Sequence, residues 1–182
     1  MSLWLAVIAS SPPAYTQLSS RPVSTVIAQQ STQSAVTAVE SVGMTVSDMD
    51  RAIDFYSQVL SFNKVSDVEV LGAEYEQLPG LFGARLHISG LRAPNGPGIE
   101  FLEYLTPKDG RPLPVDEHPN DVLHWQTTLT VKDTGSMTQR LRSSQSTFIS
   151  PDAVAIPGQT LGFKKGFLVR DPDGHTMRLV EK

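Results

Sequence analysis

The residues that could do chemistry in this chain are few and scattered. There are no cysteines, so thiolate nucleophiles, disulfides and cysteine-based zinc sites are excluded together. The four histidines are His87, His118, His124 and His175. No glycine-rich phosphate loop, nucleophile elbow or His-Glu-x-x-His helix occurs. The carboxylates show no spacing that picks out an acid/base pair. One residue is out of place: Arg178 falls in the middle of an apolar run, Met177-Arg178-Leu179-Val180, where alternation predicts a half-buried strand. A guanidinium stays charged and has no lone pair to give to a metal. Its natural chemistry is therefore anion binding.

The stretch that carries Arg178 reads as a hairpin. In Asp171-Pro172-Asp173-Gly174, Pro172 presets φ for a type I turn. Asp171 can accept backbone N–H bonds, and Gly174 takes the left-handed position. Strands flank it at 166–170 and 175–181. Upstream, Ser41-Val42-Gly43-Met44-Thr45-Val46 alternates as a strand. Ser47, followed by Asp50, reads as a variant capping box. Met49, Ala52, Ile53, Tyr56 and Leu60 form a helical stripe. Residues 63–76, 83–92 and 99–105 read as strands. Four prolines mark 106–120 as a linker with its own path. The pattern restarts with a strand from His124 to Val131, a helix over 134–144 and a short strand at 147–149. A loop at 151–162 leads into the hairpin.

Residues 1–36 are rich in Ser, Thr, Gln, Ala and Pro, and their first charge is Arg21. That composition reads as a flexible or processed leader. Leu3 to Ala9 resembles a signal-peptide core, with Val26-Ile27-Ala28 as a candidate cleavage site, but no basic residues precede it. A cytoplasmic compartment is favoured and export is the alternative. No apolar run approaches the roughly 20 residues of a membrane span. The net charge of −4 argues against nucleic acid as the partner.

The folded part contains an internal repeat. Thr45, Val46 and Asp48 match Thr130, Val131 and Asp133 at an offset of 85 (130 − 45). Ile99-Glu100-Phe101-Leu102-Glu103 lies over Met177-Arg178-Leu179-Val180-Glu181 at 78 (178 − 100). The fold class expected is α+β: two βαβββ modules at 37–105 and 121–182, joined by the linker at 106–120.

Two such modules, opened by Val46-Ser47-Asp48-Met49-Asp50-Arg51-Ala52-Ile53-Asp54-Phe55-Tyr56 and closed by Phe167-x-x-Arg170-Asp171-Pro172-Asp173-Gly174-His175, resemble the vicinal oxygen chelate superfamily. That superfamily includes glyoxalase I, extradiol dioxygenases and bleomycin-resistance proteins. The resemblance implies a cleft floored by the first and last strand of each module. In the enzymes of that superfamily the floor holds a divalent metal on His or Gln from the first strands and Glu from the last. Carried over, the ligand positions fall on Ser41, Glu100, Gln126 and Arg178. Only Glu100 and Gln126 are usable donors.

A cation placed beside Arg178 meets a repulsion of about 4 kcal/mol per unit charge at about 4 Å and an effective dielectric near 20, and roughly double for a divalent ion. The expectation is therefore a degenerate metal centre in which Arg178 pairs with Glu100. No cofactor is favoured. Thr45 and Thr128 join the other four in a cleft suited to a small organic anion, and the remaining lining expected from alternation is Gly43, Leu102, Thr130 and Val180. The alternative is a lyase or dioxygenase using Mn, Fe, Ni or Zn on Glu100, Gln126 and His124, the last sharing a strand face with Gln126. His118 and His175 are expected to be exposed. Tyr75, Tyr104 and Trp125 could supply ring contacts. A homodimer is compatible with the resemblance, although both modules lie in one chain.

Overall fold

A computed structural model describes residues 35–182, so the leader reading lies outside the described residues. Ala38–Lys182 forms one compact unit containing two sheets. The first holds β1 (Ser41–Thr45), β2 (Asn63–Leu71), β3 (Arg85–Arg92) and β4 (Gly98–Thr106), in the order β1-β4-β3-β2. The second holds β5 (Gln126–Thr130), β6 (Thr147–Phe148), β7 (Val154–Ala155), β8 (Lys165–Arg170) and β9 (Thr176–Glu181), in the order β5-β9-β8-β6 with β7 also on β8. In each sheet the first and last strands run parallel, β1 on β4 and β5 on β9. This is the α+β, two-module architecture that the repeat implies.

The registers reproduce the repeat. Ser41 lies opposite Gly98 and Gln126 opposite Thr176, while Gly43 lies opposite Glu100 and Thr128 opposite Arg178. Both offsets, 85 and 78, hold for these pairs. Helix capping follows the same symmetry. Asp48 caps α1 (Met49–Asp54) by accepting from Arg51 N at 2.9 Å, and Asp133 caps α3 (Thr134–Ser143) by accepting from Ser136 N at 2.7 Å. Glu103 on β4 reaches Met49 N at 3.3 Å, and its equivalent on β9, Glu181, reaches Thr134 N at 3.1 Å. Each module thus places a last-strand carboxylate on the electropositive start of its own helix. The capping expectation for Ser47 is corrected by one residue: Asp48 takes the role, while Ser47 Oγ bonds Asp173 and the Arg51 side chain.

Strand alternation sorts the faces. Met44, Val46, Phe101, Met177 and Leu179 are buried and pack with Met49, Ala52, Phe55 and Tyr56 into one core. Ser41, Gly43 and Thr45 alternate with the first two and are exposed. The helical stripe is present, but α1 passes at Phe55–Val59 into a wider turn, which seats Tyr56 edge-on against Phe62 and Phe101. Other boundaries differ. The strand expected to Glu76 ends at Leu71, because Gly72 at φ +128 breaks it, and α2 (Ala73–Gln77) follows. The 151–162 loop contains β7. The strand expected from His124 begins at Gln126.

Candidate functional site

Arg178 projects from β9 on the face away from the core. Its Nε and Nη2 donate to Thr128 Oγ1 at 3.1 and 2.9 Å. Thr128 lies directly opposite in the parallel register, so the hydroxyl is the nearest acceptor on that face. The guanidinium carbon also stands 5.7 Å from the Phe163 ring centroid, within cation–π range. Among the described residues no ion pair joins Arg178 to Glu100 or to any other carboxylate. The expected internal pair is therefore corrected. Glu100 belongs to the other sheet, and the cross-strand threonine takes the guanidinium first.

Glu100 is half-buried opposite Gly43. A Cβ added at Gly43 would touch only Leu102 Cδ1, at 3.5 Å, so the floor beside Glu100 is open. Gln126 is half-buried, while Ser41, Thr45 and Thr128 are exposed. Of the four positions that the resemblance equates with metal ligands, one is a serine and one a cation tied to a threonine. Among the described residues no three His, Asp or Glu side chains group as a metal set. The donor chemistry at these positions does not fit a divalent metal.

The histidines sort differently from expectation. His124 precedes β5, and its Nδ1 hydrogen-bonds Glu117 Oε1 of the linker. Glu117 also takes Arg170 Nη2 at 2.5 Å. His124 is thus committed to tethering the linker and does not share a strand face with Gln126. His87 on β3 bonds Asp67 at 2.6 Å. His118 is exposed. His175, expected exposed, is only 8% accessible.

That burial reveals a network joining the modules that local sequence gave no sign of. Asp171 Oδ1 accepts from Asp173 N at 3.0 Å and His175 N at 2.9 Å, the turn chemistry expected of it. Its Oδ2 accepts from His175 Nδ1 at 2.9 Å and from the Tyr56 hydroxyl, 115 residues away, at 3.3 Å. Burial pushes the Tyr56 phenol well above its usual range, and the Asp171 carboxylate adds to the effect. For His175, burial pulls the imidazole down, but the hydrogen bond and charge of Asp171, with Asp173 and the Thr45 backbone, hold its pKa above the ordinary value. At the exposed edge of the turn, Asp173 Oδ1 receives Ser47 Oγ at 2.5 Å and Arg51 Nη2 at 2.7 Å.

Between this turn and the linker lies a cavity of about 1220 Å³, lined in part by Thr45, Tyr104, Leu113, Asp173 and His175. Of the residues expected to bind ligand, only Thr45 reaches it. Trp125 stands 6.2 Å from the His175 ring, and Tyr75 is half-buried on α2.

Comparison with known proteins decides the family. Residues 38–179 match the model of the Glyoxalase/Bleomycin resistance protein/Dioxygenase superfamily. The chain belongs to that superfamily. Solved structures agree at the level of fold. A glyoxalase family protein from Bacillus cereus superposes with a TM-score of 0.72 at 20% identity, over 82% of this chain and 97% of that one. A superfamily member from Sphaerobacter thermophilus gives 0.53 at 22%, over 81% and 98%. The trypanothione-dependent glyoxalase I of Leishmania major gives 0.52 at 18%, over 80% and 87%. No curated protein matches the sequence. Superfamily membership brings the fold with it, whereas the chemistry rests on the particular residues at the cleft floor. Among the described residues no helix is long and apolar enough to cross a membrane.

Proposed function

We propose that this chain binds a small organic anion at the floor formed by β1, β4, β5 and β9, without a resident divalent metal, as a binding protein or a metal-independent diverged enzyme. The observation that carries this reading is Arg178. Its guanidinium is oriented by Thr128 and Phe163 and has no carboxylate partner among the described residues. A fork held in this way loses little side-chain freedom on binding, and a carboxylate or phosphate gains charge-assisted hydrogen bonds from it. Gln126, two residues before Thr128 on β5, offers a neutral polar contact on the face that carries Thr128, and Ser41 and Thr45 offer hydroxyls on the exposed face of β1. The competing reading, a metal-dependent lyase or dioxygenase, has Glu100 and Gln126 as donors but needs a cation to sit beside Arg178.

Two measurements separate the readings. Chelator-stripped protein is incubated with Mn, Fe(II), Ni or Zn, desalted and weighed by native mass spectrometry. The metal-free reading expects no retained ion, and near-stoichiometric retention overturns it. Calorimetric titration with simple carboxylates should then show affinity that Arg178→Gln lowers by about tenfold or more, the loss of about 1.4 kcal/mol expected of a charged hydrogen bond. Affinity that ignores Arg178→Gln would remove the anion reading.

A further inference from the structure

The linker and the closing turn enclose the cavity of about 1220 Å³, and its lining divides into groups already committed and groups still free. On the turn side, Asp171 accepts from four donors. Asp173 Oδ1 takes Ser47 and Arg51, while its Oδ2 is buried. Arg170 is held by Glu117 and donates to Gly174 O at 3.0 Å. The linker side differs. Residues 107–113 make no hydrogen bond among the described residues. Lys108 and Arg111 both line the cavity and hold no carboxylate among the described residues. Of the remaining acids on the lining, Glu103 is drawn to Met49 N at 3.3 Å, which leaves Asp109. Two uncommitted cations thus stand against one uncommitted carboxylate. The linker is fixed at its far end, where Glu117 O accepts from Arg170 Nη2 at 2.9 Å. It also closes on the turn at Leu113, whose Cδ1 would stand 3.6 Å from a Cβ at Gly174.

We propose that this cavity is a second binding site, for an amphipathic organic anion whose apolar body lies under the linker and whose carboxylate is taken by Lys108 and Arg111. Size is the first argument. Drug-sized ligands occupy pockets of roughly 300–1000 Å³, so the space suits a ring-bearing molecule rather than a small ion. The second argument is the uncommitted lining, which is largely apolar: Leu81, Tyr104, Pro107 and Leu113. Covering such surface from water favours an apolar body. The third is charge. The polar groups of the turn are satisfied internally, so a polar ligand finds few partners there. The linker cations are free, and each gains charge-assisted hydrogen bonds from a carboxylate. Their stems can lie along apolar surface while their heads reach the anion. None of Glu100, Gln126 and Arg178 lines this cavity, so the proposal does not depend on the anion reading of Arg178.

The test uses the full chain and three probes: naphthylacetate, its neutral amide naphthylacetamide, and acetate, which has the charge without the rings. The local readout is the rate of tryptic cleavage after Lys108 as each probe is titrated, and calorimetry gives the overall affinity. Naphthylacetate should slow that cleavage saturably, at a concentration at least about tenfold lower than naphthylacetamide requires, and acetate should not slow it. Arg111→Gln should raise the naphthylacetate concentration needed by about fivefold or more and leave that for naphthylacetamide unchanged. Leu113→Ser should weaken both; thermal melts establish that each variant is folded. The proposal is overturned if naphthylacetate leaves cleavage after Lys108 unchanged, if the amide protects as well as the acid, or if Arg111→Gln has no effect on the acid. Should calorimetry then show naphthylacetate binding that Arg178→Gln removes, the probe sits at the strand floor, and the anion reading stands without the second site.

Discussion

Replacing Asp171 by alanine should cost about 3–5 kcal/mol of folding free energy. Its side chain is only 2% accessible and accepts four hydrogen bonds, from Asp173 N, His175 N, His175 Nδ1 and the Tyr56 hydroxyl. The Asp173 amide is part-buried and regains water more readily on truncation than the buried His175 amide. The imidazole and the phenol are enclosed, Tyr56 being 0% and His175 8% accessible. A buried donor left without its acceptor costs about 1–3 kcal/mol, and two of them, with the lost ion-pair character at His175, bring the sum to the stated range. That is a large part of the roughly 5–15 kcal/mol available to a domain of ordinary stability. Urea unfolding followed by tryptophan fluorescence is the assay, and the midpoint should fall by about 2 M with little change in slope. Asp171→Asn keeps an acceptor for the turn amides and should cost less, about 1–2 kcal/mol. A loss below about 1 kcal/mol for Asp171→Ala would refute the reasoning, because the buried contacts between the modules would then contribute nothing net.

The remaining expectations concern pH and the linker. The folded pKa of His175 lies above its unfolded value, so its contribution is fully present below the unfolded pKa near 6.5 and is lost as pH rises through the folded value. Urea midpoints should therefore decline over that window, and His175→Gln should flatten the decline; an unchanged slope would show that another group titrates there. Glu117→Gln should loosen the linker, since Glu117 holds both Arg170 and His124. The readout is faster tryptic cleavage after Lys108 with the melting temperature little changed, and wild-type cleavage rates would show that the tether is dispensable.

Much of this protein follows from residue order alone. The turn Asp171-Pro172-Asp173-Gly174 formed as its chemistry demands, with Gly174 at φ +96 and Gly174 N on Asp171 O at 3.1 Å. Such a turn is decided by neighbours within four residues. The repeat offsets matched positions of one sheet to positions of the other, and the registers Gly43 opposite Glu100 and Thr128 opposite Arg178 obey both of them. Alternation likewise assigned Ser41 and Thr45 to the face away from the core. The details of helix starts and strand ends were less legible: Asp48 rather than Ser47 caps α1, since the cap depends on which residue adopts extended backbone, and Gly72 stops β2 early.

Tertiary structure decided the partners. Two sequence-equivalent positions, Glu100 and Arg178, are opposite in charge, and attraction alone would have joined them. The register instead placed Thr128 across from Arg178 in its own sheet and left Glu100 in the other. His124, which the sequence offered as an alternative ligand, was taken by Glu117, and His175, expected exposed, was taken by Asp171. Tyr56 reached Asp171 from more than a hundred residues away. Contacts of this kind depend on how whole elements pack, and no spacing along the chain encodes them. The sequence therefore determines the two modules and their internal registers, while tertiary packing determines that Arg178 is held by Thr128 rather than by a carboxylate.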